Sequence, residues 1–119
     1  MKLEAVRHTG TYPDIYLADR RTLVVTLRTA KRDVDECRIH YFARTAPEKE
    51  KTQTLQFLYR DSLFDYYQGT LCFHQVARYQ KYYFELTAGK EVWYLTAEEF
   101  RRDPPEDGYF EFLYANRTG

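Results

Sequence analysis

Apolar and polar residues alternate with a period of two over several short runs of this chain. The alternation is clearest at residues 22–29, where Leu23, Val25 and Leu27 occupy one side of the run, and at residues 37–42. Such alternation is typical of a β-strand that buries one face and exposes the other. Both runs are therefore predicted to be half-buried strands.

Turn-forming residues separate further runs of similar length. Further strand-like runs lie at residues 3–6, 15–17, 55–60, 64–67 together with 70–73, 79–86, 91–95 and 109–114. The polar connection at 87–90 contains glycine and predicts a hairpin, whereas the Pro- and Asp-rich stretch at 103–108 predicts a break. Residues 45–51 are the least strand-like, and Thr45 with Glu48 matches a helix-capping pattern, which predicts one helical turn or a solvated loop.

The pattern predicts an all-β fold. About eight short strands, without a long helical period or an internal repeat, indicate an antiparallel sandwich or a barrel, and sequential antiparallel strands favour the sandwich. The length of 119 residues predicts a single domain spanning 1–119. Aromatic residues make up 18% of the chain, with 12 Tyr and 8 Phe, and such rings favour strands over helices.

Charge and hydropathy exclude some classes of partner. The 18 basic and 18 acidic residues cancel, whereas a nucleic-acid-binding domain is expected to be basic, so we expect no nucleic-acid partner. No apolar stretch approaches the roughly 20 residues that a membrane-spanning helix needs, and the start of the chain does not resemble a secretion signal. We therefore predict a cytoplasmic protein without a membrane partner, in which Cys37 and Cys72 are buried free thiols.

The sequence offers little for catalysis. The three histidines, His8, His40 and His74, are far apart and show no metal-ligand spacing. A phosphate-binding loop and a serine nucleophile motif are both missing. Glycoside hydrolysis needs only two carboxylates, and Asp61 with Asp65 could supply them, but both are predicted to serve solvated turns. We expect no catalytic residue, no metal and no cofactor.

Aromatic residues are more numerous than one core face can hold. Neighbours such as Tyr66 and Tyr67 must point to opposite sides of a strand, so some rings face outward. An exposed Tyr or Trp suits either the apolar face of a sugar or a protein interface. Our candidates for carbohydrate-binding or partner-facing aromatic residues are Tyr41, Phe42, Tyr67 and Trp93, with Trp93 foremost.

Four motifs follow one another along the chain. They are Leu3-Glu4-Ala5-Val6 with His8, the strand and turn at 27–34, Phe64-Asp65-Tyr66-Tyr67, and the closing Phe112-Leu113-Tyr114-Ala115-Asn116-Arg117. In this order and spacing they resemble the N-terminal domain of the neopullulanase, cyclomaltodextrinase and maltogenic amylase group of the α-amylase family. The resemblance covers nearly the whole chain.

This resemblance implies an immunoglobulin-like β-sandwich, classed with starch-binding modules, that precedes a (β/α)8 catalytic barrel absent from this chain. The catalytic residues of the group belong to that barrel. The expected partners are the missing barrel, a second copy of the parent enzyme in a homodimer, and an α-glucan or cyclodextrin. In the group this domain commonly narrows the partner's active-site entrance. Tyr41 matches the group in the segment nearest that entrance, whereas Thr45 stands where some members have an aromatic residue.

Two alternatives differ in class from this interpretation. One is a free-standing immunoglobulin-like interaction module unrelated to carbohydrate, which a stop codon after Gly119 would favour. The other is an autonomous glycan-degrading enzyme that uses Asp61 and Asp65. The sequence favours a non-catalytic accessory domain of an intracellular glucan hydrolase over both.

Overall fold

The alternating runs form antiparallel strands that pack as a sandwich of two sheets, which confirms the predicted fold class. A computed structural model describes residues 1–114. Within that range it contains ten strands, more than the eight expected: β1 (Ile15–Asp19), β2 (Thr22–Ala30), β3 (Glu36–Ala43), β4 (Lys51–Thr54), β5 (Gln56–Arg60), β6 (Phe64–Cys72), β7 (Tyr79–Ala88), β8 (Glu91–Leu95), β9 (Phe100–Arg101) and β10 (Phe110–Leu113). The last part of the closing motif at 112–117 lies outside the described residues.

The two sheets have different strand orders. The first sheet runs β1-β2-β6-β5, and the second runs β4-β3-β7-β8-β9, with β10 also paired to β7. The longest ladders are central: β2 pairs with β6 from Thr22–Cys72 to Ala30–Phe64, and β3 pairs with β7. The chain changes sheet at Leu55, the one residue between β4 and β5.

The core lies between the inner faces of the central strands. Leu23, Val25 and Leu27 of β2 are at most 1% exposed, as the alternation predicts, and they face Ile39 and Phe84 of the second sheet's core side. Burying each such side chain contributes about 1.5–3 kcal/mol relative to leaving it in water. These two central ladders therefore form the rigid part of the domain.

Strands β4 and β9 do not follow the apolar pattern. β4 has the sequence Lys-Thr-Gln-Thr and pairs along one side with β3, and the two residues of β9 pair only with β8. An edge strand can expose polar side chains without losing core contacts, so it needs no alternation. The two predicted runs at 64–67 and 70–73 form the single strand β6, which continues through Gly69.

The predicted strand at residues 3–6 is wrong. Leu3–Ala5 is a 3-10 turn, closed by a hydrogen bond from the Val6 amide to the Leu3 carbonyl at 3.0 Å. Ladder pairing begins only at Arg7, which bridges to Arg28 of β2. The Arg28 guanidinium donates to the Ala5 carbonyl at 3.1 Å and holds this turn against the sheet edge.

Residues 45–51 contain one helical turn, as predicted, at Pro47–Lys49. The capping box does not form, because Ala46 precedes the turn and no side chain caps it. The turn at Lys31–Asp33 carries Arg32 in the left-handed region, with φ of 55°. Its amide donates to the Asp65 carboxylate at 3.0 Å, which offsets part of the strain of a side chain at positive φ.

Candidate interaction surface

Tyr41 and Tyr67, predicted to face outward, lie in the core. Each is 8% exposed. Tyr41 pairs with Tyr82 across the β3–β7 ladder and therefore shares its inner face, and Tyr67 alternates inward with Leu71. Burial raises the pKa of both hydroxyls, that of Tyr67 to about 12. The expectation of exposure is wrong for these two rings because period-two alternation separates the faces of a strand without saying which one is buried.

Phe42 and Trp93 have different surroundings. Phe42 does point away from the core, but it is 6% exposed, since the Tyr109 ring packs edge-on against it at 5.1 Å. Its predicted accessibility is therefore also wrong. Trp93 is partly exposed: its indole N–H donates to Glu91 at 2.6 Å, and the Arg102 guanidinium lies 4.7 Å from the ring.

The face of the second sheet that points away from the core holds a polar cluster around His40 and Tyr83. The His40 ring stacks on Tyr83 with centroids 4.6 Å apart, and its nitrogens lie 2.7 Å from Glu85 and 3.2 Å from Glu50. The Tyr83 hydroxyl donates to Glu50 at 3.2 Å. These contacts tie the beginning of β4 to β3 and β7, so the cluster serves the sheet's structure.

His8 is a buried histidine that the sequence pattern did not reveal. It is 8% exposed and packs against Phe84 and Phe110. A carbonyl oxygen can only accept, so Nδ1 carries the proton that is donated to Thr26 at 2.9 Å. Nε2 of the neutral ring then accepts from the Tyr82 hydroxyl at 2.7 Å. Burial lowers the pKa of His8 and keeps it neutral.

The two candidate carboxylates have structural partners. Asp61 accepts from the amides of Leu63 and Phe64, as a turn aspartate does. Asp65 lies within β6 at 1% exposure and pairs with Arg60, so the prediction of a solvated turn is wrong for this residue. These bonds lower both pKa values, whereas the acid in glycoside hydrolysis needs a raised pKa.

Residues 1–114 contain neither an arrangement typical of a metal site nor a helix typical of a membrane span. Within this range, no group of three or more His, Cys, Asp or Glu side chains is arranged to hold a metal ion. None of the helical segments described is long and apolar enough to span a bilayer. Of the two free thiols, Cys37 is buried as predicted. The prediction of a buried thiol is wrong for Cys72, which is exposed because it alternates with the inward Leu71.

Large apolar side chains are exposed around strand β5. They form what we call the β5 patch: Phe57 at 51%, Leu58 at 46%, Tyr59 at 50% and Leu63 at 66% exposure. β5 is an edge strand, and its register with β6 shifts between Phe57 and Tyr59. Tyr59 stacks on Tyr66 with centroids 4.4 Å apart. Contiguous exposed apolar residues on an edge indicate a contact surface.

Two open clefts lie at the margins of the sandwich. One, of about 570 Å³, borders the β5 patch where the chain passes from β4 to β5. The other, of about 780 Å³, lies between residues 10–17 and 111–114. The cleft beside the β5 patch is bounded by β4, β5 and β6.

The chain is similar to known proteins along its whole length. The family model for "Alpha amylase, N-terminal ig-like domain" matches residues 1–116. A cyclomaltodextrinase of Thermoanaerobacter pseudethanolicus is 29% identical over 112 residues, covering 93% of this chain and 19% of the relative. A cyclomaltodextrinase of Geobacillus thermopakistaniensis is 30% identical over 125 residues, covering 99% and 21%.

A solved structure gives the same result for the fold. A cyclomaltodextrinase structure superposes with a TM-score of 0.90 at 27% identity, covering 98% of this chain and 20% of that one. The chain thus spans about a fifth of the length of these relatives.

Proposed function

Because this chain belongs to the family of N-terminal Ig-like domains of α-amylases, we propose that it is the non-catalytic accessory domain of a larger glycoside hydrolase that acts on cyclodextrins or related α-glucans. The observation that supports this most directly is the match along nearly the whole chain to about a fifth of each cyclomaltodextrinase. In this proposal residues 1–119 are one domain, and the catalytic barrel lies in the rest of a cytoplasmic parent protein.

In the parent enzyme this domain contributes to assembly of the homodimer and to substrate selectivity. The domain contacts a second copy of the enzyme in a homodimer and narrows the partner's active-site entrance. The β5 patch supports this role, because three large apolar side chains on an edge strand and one in the connection that follows it are 46–66% exposed in the domain alone. Covering them removes apolar surface from water, which drives association.

Binding of an α-glucan is a second part of the proposed role. Of the four aromatic residues named from the sequence, Trp93 is the one whose ring is partly accessible. The rings of Tyr41, Phe42 and Tyr67 are at most 8% exposed and so present little surface to a sugar.

Sedimentation velocity of the complete gene product tests the assembly. We expect a dimer that dissociates when Leu58→Lys and Leu63→Lys are combined, because both charges would have to be desolvated in the interface. The matched control is Leu113→Lys on β10, since Leu113 is 64% exposed outside the patch. Substitutions at exposed positions change the free energy of unfolding by about 0.5 kcal/mol or less, so folding should be kept.

Three results would contradict the proposal in different ways. A monomeric wild-type protein would exclude the homodimer. A double variant that remains dimeric would place the contact away from the β5 patch. A gene that ends at Gly119 would favour a free-standing interaction module instead.

A further inference from the structure

A small cavity lies between the two sheets, where β3 ends and β4 begins. Its lining includes Tyr41, Lys49, Lys51, Phe73 and Gln80. Lys51 is paired with Tyr41 and Gln80 with Ala43, so these side chains share the inner face of the second sheet. Phe73, directly after β6, closes the cavity from the first sheet, with its ring centroid 5.8 Å from that of Tyr41. We call this space the Gln80 cavity.

Two buried polar side chains at the Gln80 cavity have no hydrogen-bond partner within the described chain. Gln80 is 7% exposed and Tyr41 is 8% exposed, yet among the hydrogen bonds of residues 1–114 none uses the Gln80 side-chain amide or the Tyr41 hydroxyl. The large majority of buried polar atoms in proteins do have a partner. The polar ends of both side chains are not fully enclosed, so they are placed to bind a ligand that enters the cavity.

The charge of the lining is positive. Lys49 and Lys51 are exposed at the cavity, and neither forms an ion pair with the described part of the chain. Among these same residues, no Asp or Glu contributes to the lining. Glu50, which lies between the two lysines in sequence, instead contacts His40 and Tyr83 on the opposite face of the sheet. An anion would therefore meet two ammonium groups without a competing carboxylate.

These groups define the chemistry of the ligand. A lysine ammonium only donates hydrogen bonds, and a side-chain amide and a phenol hydroxyl can donate as well. Burial raises the pKa of the Tyr41 hydroxyl, so it keeps its proton at neutral pH. The volume of about 120 Å³ is below the usual range for drug-sized ligands, about 300–1,000 Å³. A small oxyanion with several acceptor oxygens satisfies all of these features, and a tetrahedral one offers four such oxygens.

We propose that the Gln80 cavity binds a small tetrahedral oxyanion of the phosphate class, which accepts hydrogen bonds from Tyr41 and Gln80 inside the cavity and is neutralised by Lys49 and Lys51 at its mouth. The site is separate from the β5 patch and from Trp93, and it takes an anion and not a neutral sugar. It does not rest on the proposed function. Because the bound anion contacts only the folded chain in this way, phosphate stabilises the domain.

An NMR titration of the 119-residue chain with inorganic phosphate tests the site, with sodium chloride holding the ionic strength constant. We expect saturable shifts of the Gln80 side-chain amide signals and of the Tyr41 ring signals. The expected Kd is roughly 1–10 mM, because salt screens the exposed lysines. Acetate should bind roughly threefold more weakly, since a carboxylate offers fewer acceptor oxygens than a phosphate.

Variants that lack one donor locate the site. We expect Lys51→Met to weaken phosphate binding about fivefold, since it removes one exposed charge but keeps an apolar stem. Gln80→Met, which is close in volume, should weaken binding about fivefold through the loss of one hydrogen bond. Lys90→Met is the matched control and should bind like the wild type, because Lys90 is exposed in the hairpin at the opposite end of β7. A backbone spectrum that keeps its dispersion shows that each variant is folded.

Stability in phosphate-free buffer gives a second readout for Gln80. Gln80→Met should leave the urea midpoint of unfolding unchanged or raise it, because the amide has no protein partner to lose. A lower midpoint would show that the fold itself uses this amide, and would overturn its assignment to a ligand.

Three titration results would overturn the proposal. Shifts confined to exposed lysines, with the Gln80 and Tyr41 signals unmoved, would mean that phosphate only collects at the charged surface. The absence of saturable shifts would leave water as the occupant of the cavity. Equal binding of acetate would exclude a site selective for tetrahedral anions. Each of these results leaves the proposed accessory role as it stands, because that role is tested on the complete gene product.

Discussion

Arg60 and Asp65 form a two-pronged ion pair across the β5–β6 ladder, in which the guanidinium donates to both carboxylate oxygens. Asp65 is 1% exposed, and it also accepts from the Arg32 amide at 3.0 Å. One buried carboxylate therefore connects the edge strand β5 to the turn between β2 and β3.

We expect Asp65→Asn to destabilise the domain by about 2 kcal/mol, since a buried charged hydrogen-bonding group loses its best partners. The measurement is urea unfolding followed by intrinsic fluorescence. Asp103→Asn, at an exposed position, is the control and should lie within about 0.5 kcal/mol of the wild type. Equal midpoints for the two variants would contradict a structural role for Asp65.

His8 predicts a loss of stability in mild acid. Its pKa is lowered in the folded state by burial, so between that value and the ordinary value near 6.5 the unfolded chain binds more protons than the folded one. The free energy of unfolding must then fall as the pH falls below about 6.5. This pH window lies above the range in which Asp61 and Asp65, whose pKa values are lowered, become protonated.

Unfolding measured between roughly pH 8 and 5 checks this. His8→Phe should flatten the dependence. At pH 8 it should also cost about 2 kcal/mol, because the Tyr82 hydroxyl and the Thr26 carbonyl lose their buried partner. His74→Phe is the matched control, since His74 is exposed. A slope that survives in His8→Phe would assign the acid sensitivity to another group.

Gly69 and Leu55 should be energetically coupled. A Cβ at Gly69 would lie 2.5 Å from a Leu55 methyl group, and Leu55 is 3% exposed. Gly69→Ala should therefore destabilise by about 1–3 kcal/mol through overpacking. Combining it with Leu55→Val should cost less than the sum of the single changes, and chemical unfolding of all three variants measures this coupling. Strict additivity would argue against the contact.

The 119-residue chain should not hydrolyse cyclodextrin or pullulan. Its two candidate carboxylates are engaged with backbone amides, a hydroxyl or Arg60, and their pKa values are lowered, not raised. A reducing-sugar assay at high protein concentration checks this. Activity that disappears in Asp61→Asn or Asp65→Asn would overturn the non-catalytic assignment.

The sequence predicted the central strands well because their alternation coincides with burial. Leu23, Val25 and Leu27 face the core as expected. It predicted the exposed rings poorly because exposure depends on tertiary contacts. Phe42 faces outward yet is covered by Tyr109, from the segment that follows the break at 103–108.

The β5 patch was missed because its side chains are more exposed than their sequence pattern predicts. Residues 55–60 have the alternation of a half-buried strand, but Phe57 and Tyr59 are about half exposed because β5 is an edge strand with a shifted register. The sequence alone does not show which strand lies at an edge. The cleft of about 570 Å³ beside the β5 patch likewise lies between β4, β5 and β6, and local patterns do not show how the chain crosses between sheets.

The single-residue passage between β4 and β5 has a consequence for association. An exposed apolar edge strand can be exchanged between two molecules of the same chain. Such exchange requires a hinge loop that can open. Leu55 is buried, and its amide donates to the Cys37 carbonyl at 2.8 Å, so β5 cannot leave its sheet unless β4 is pulled from the other. The β5 patch can therefore contact a partner while exchange of β5 between molecules is disfavoured.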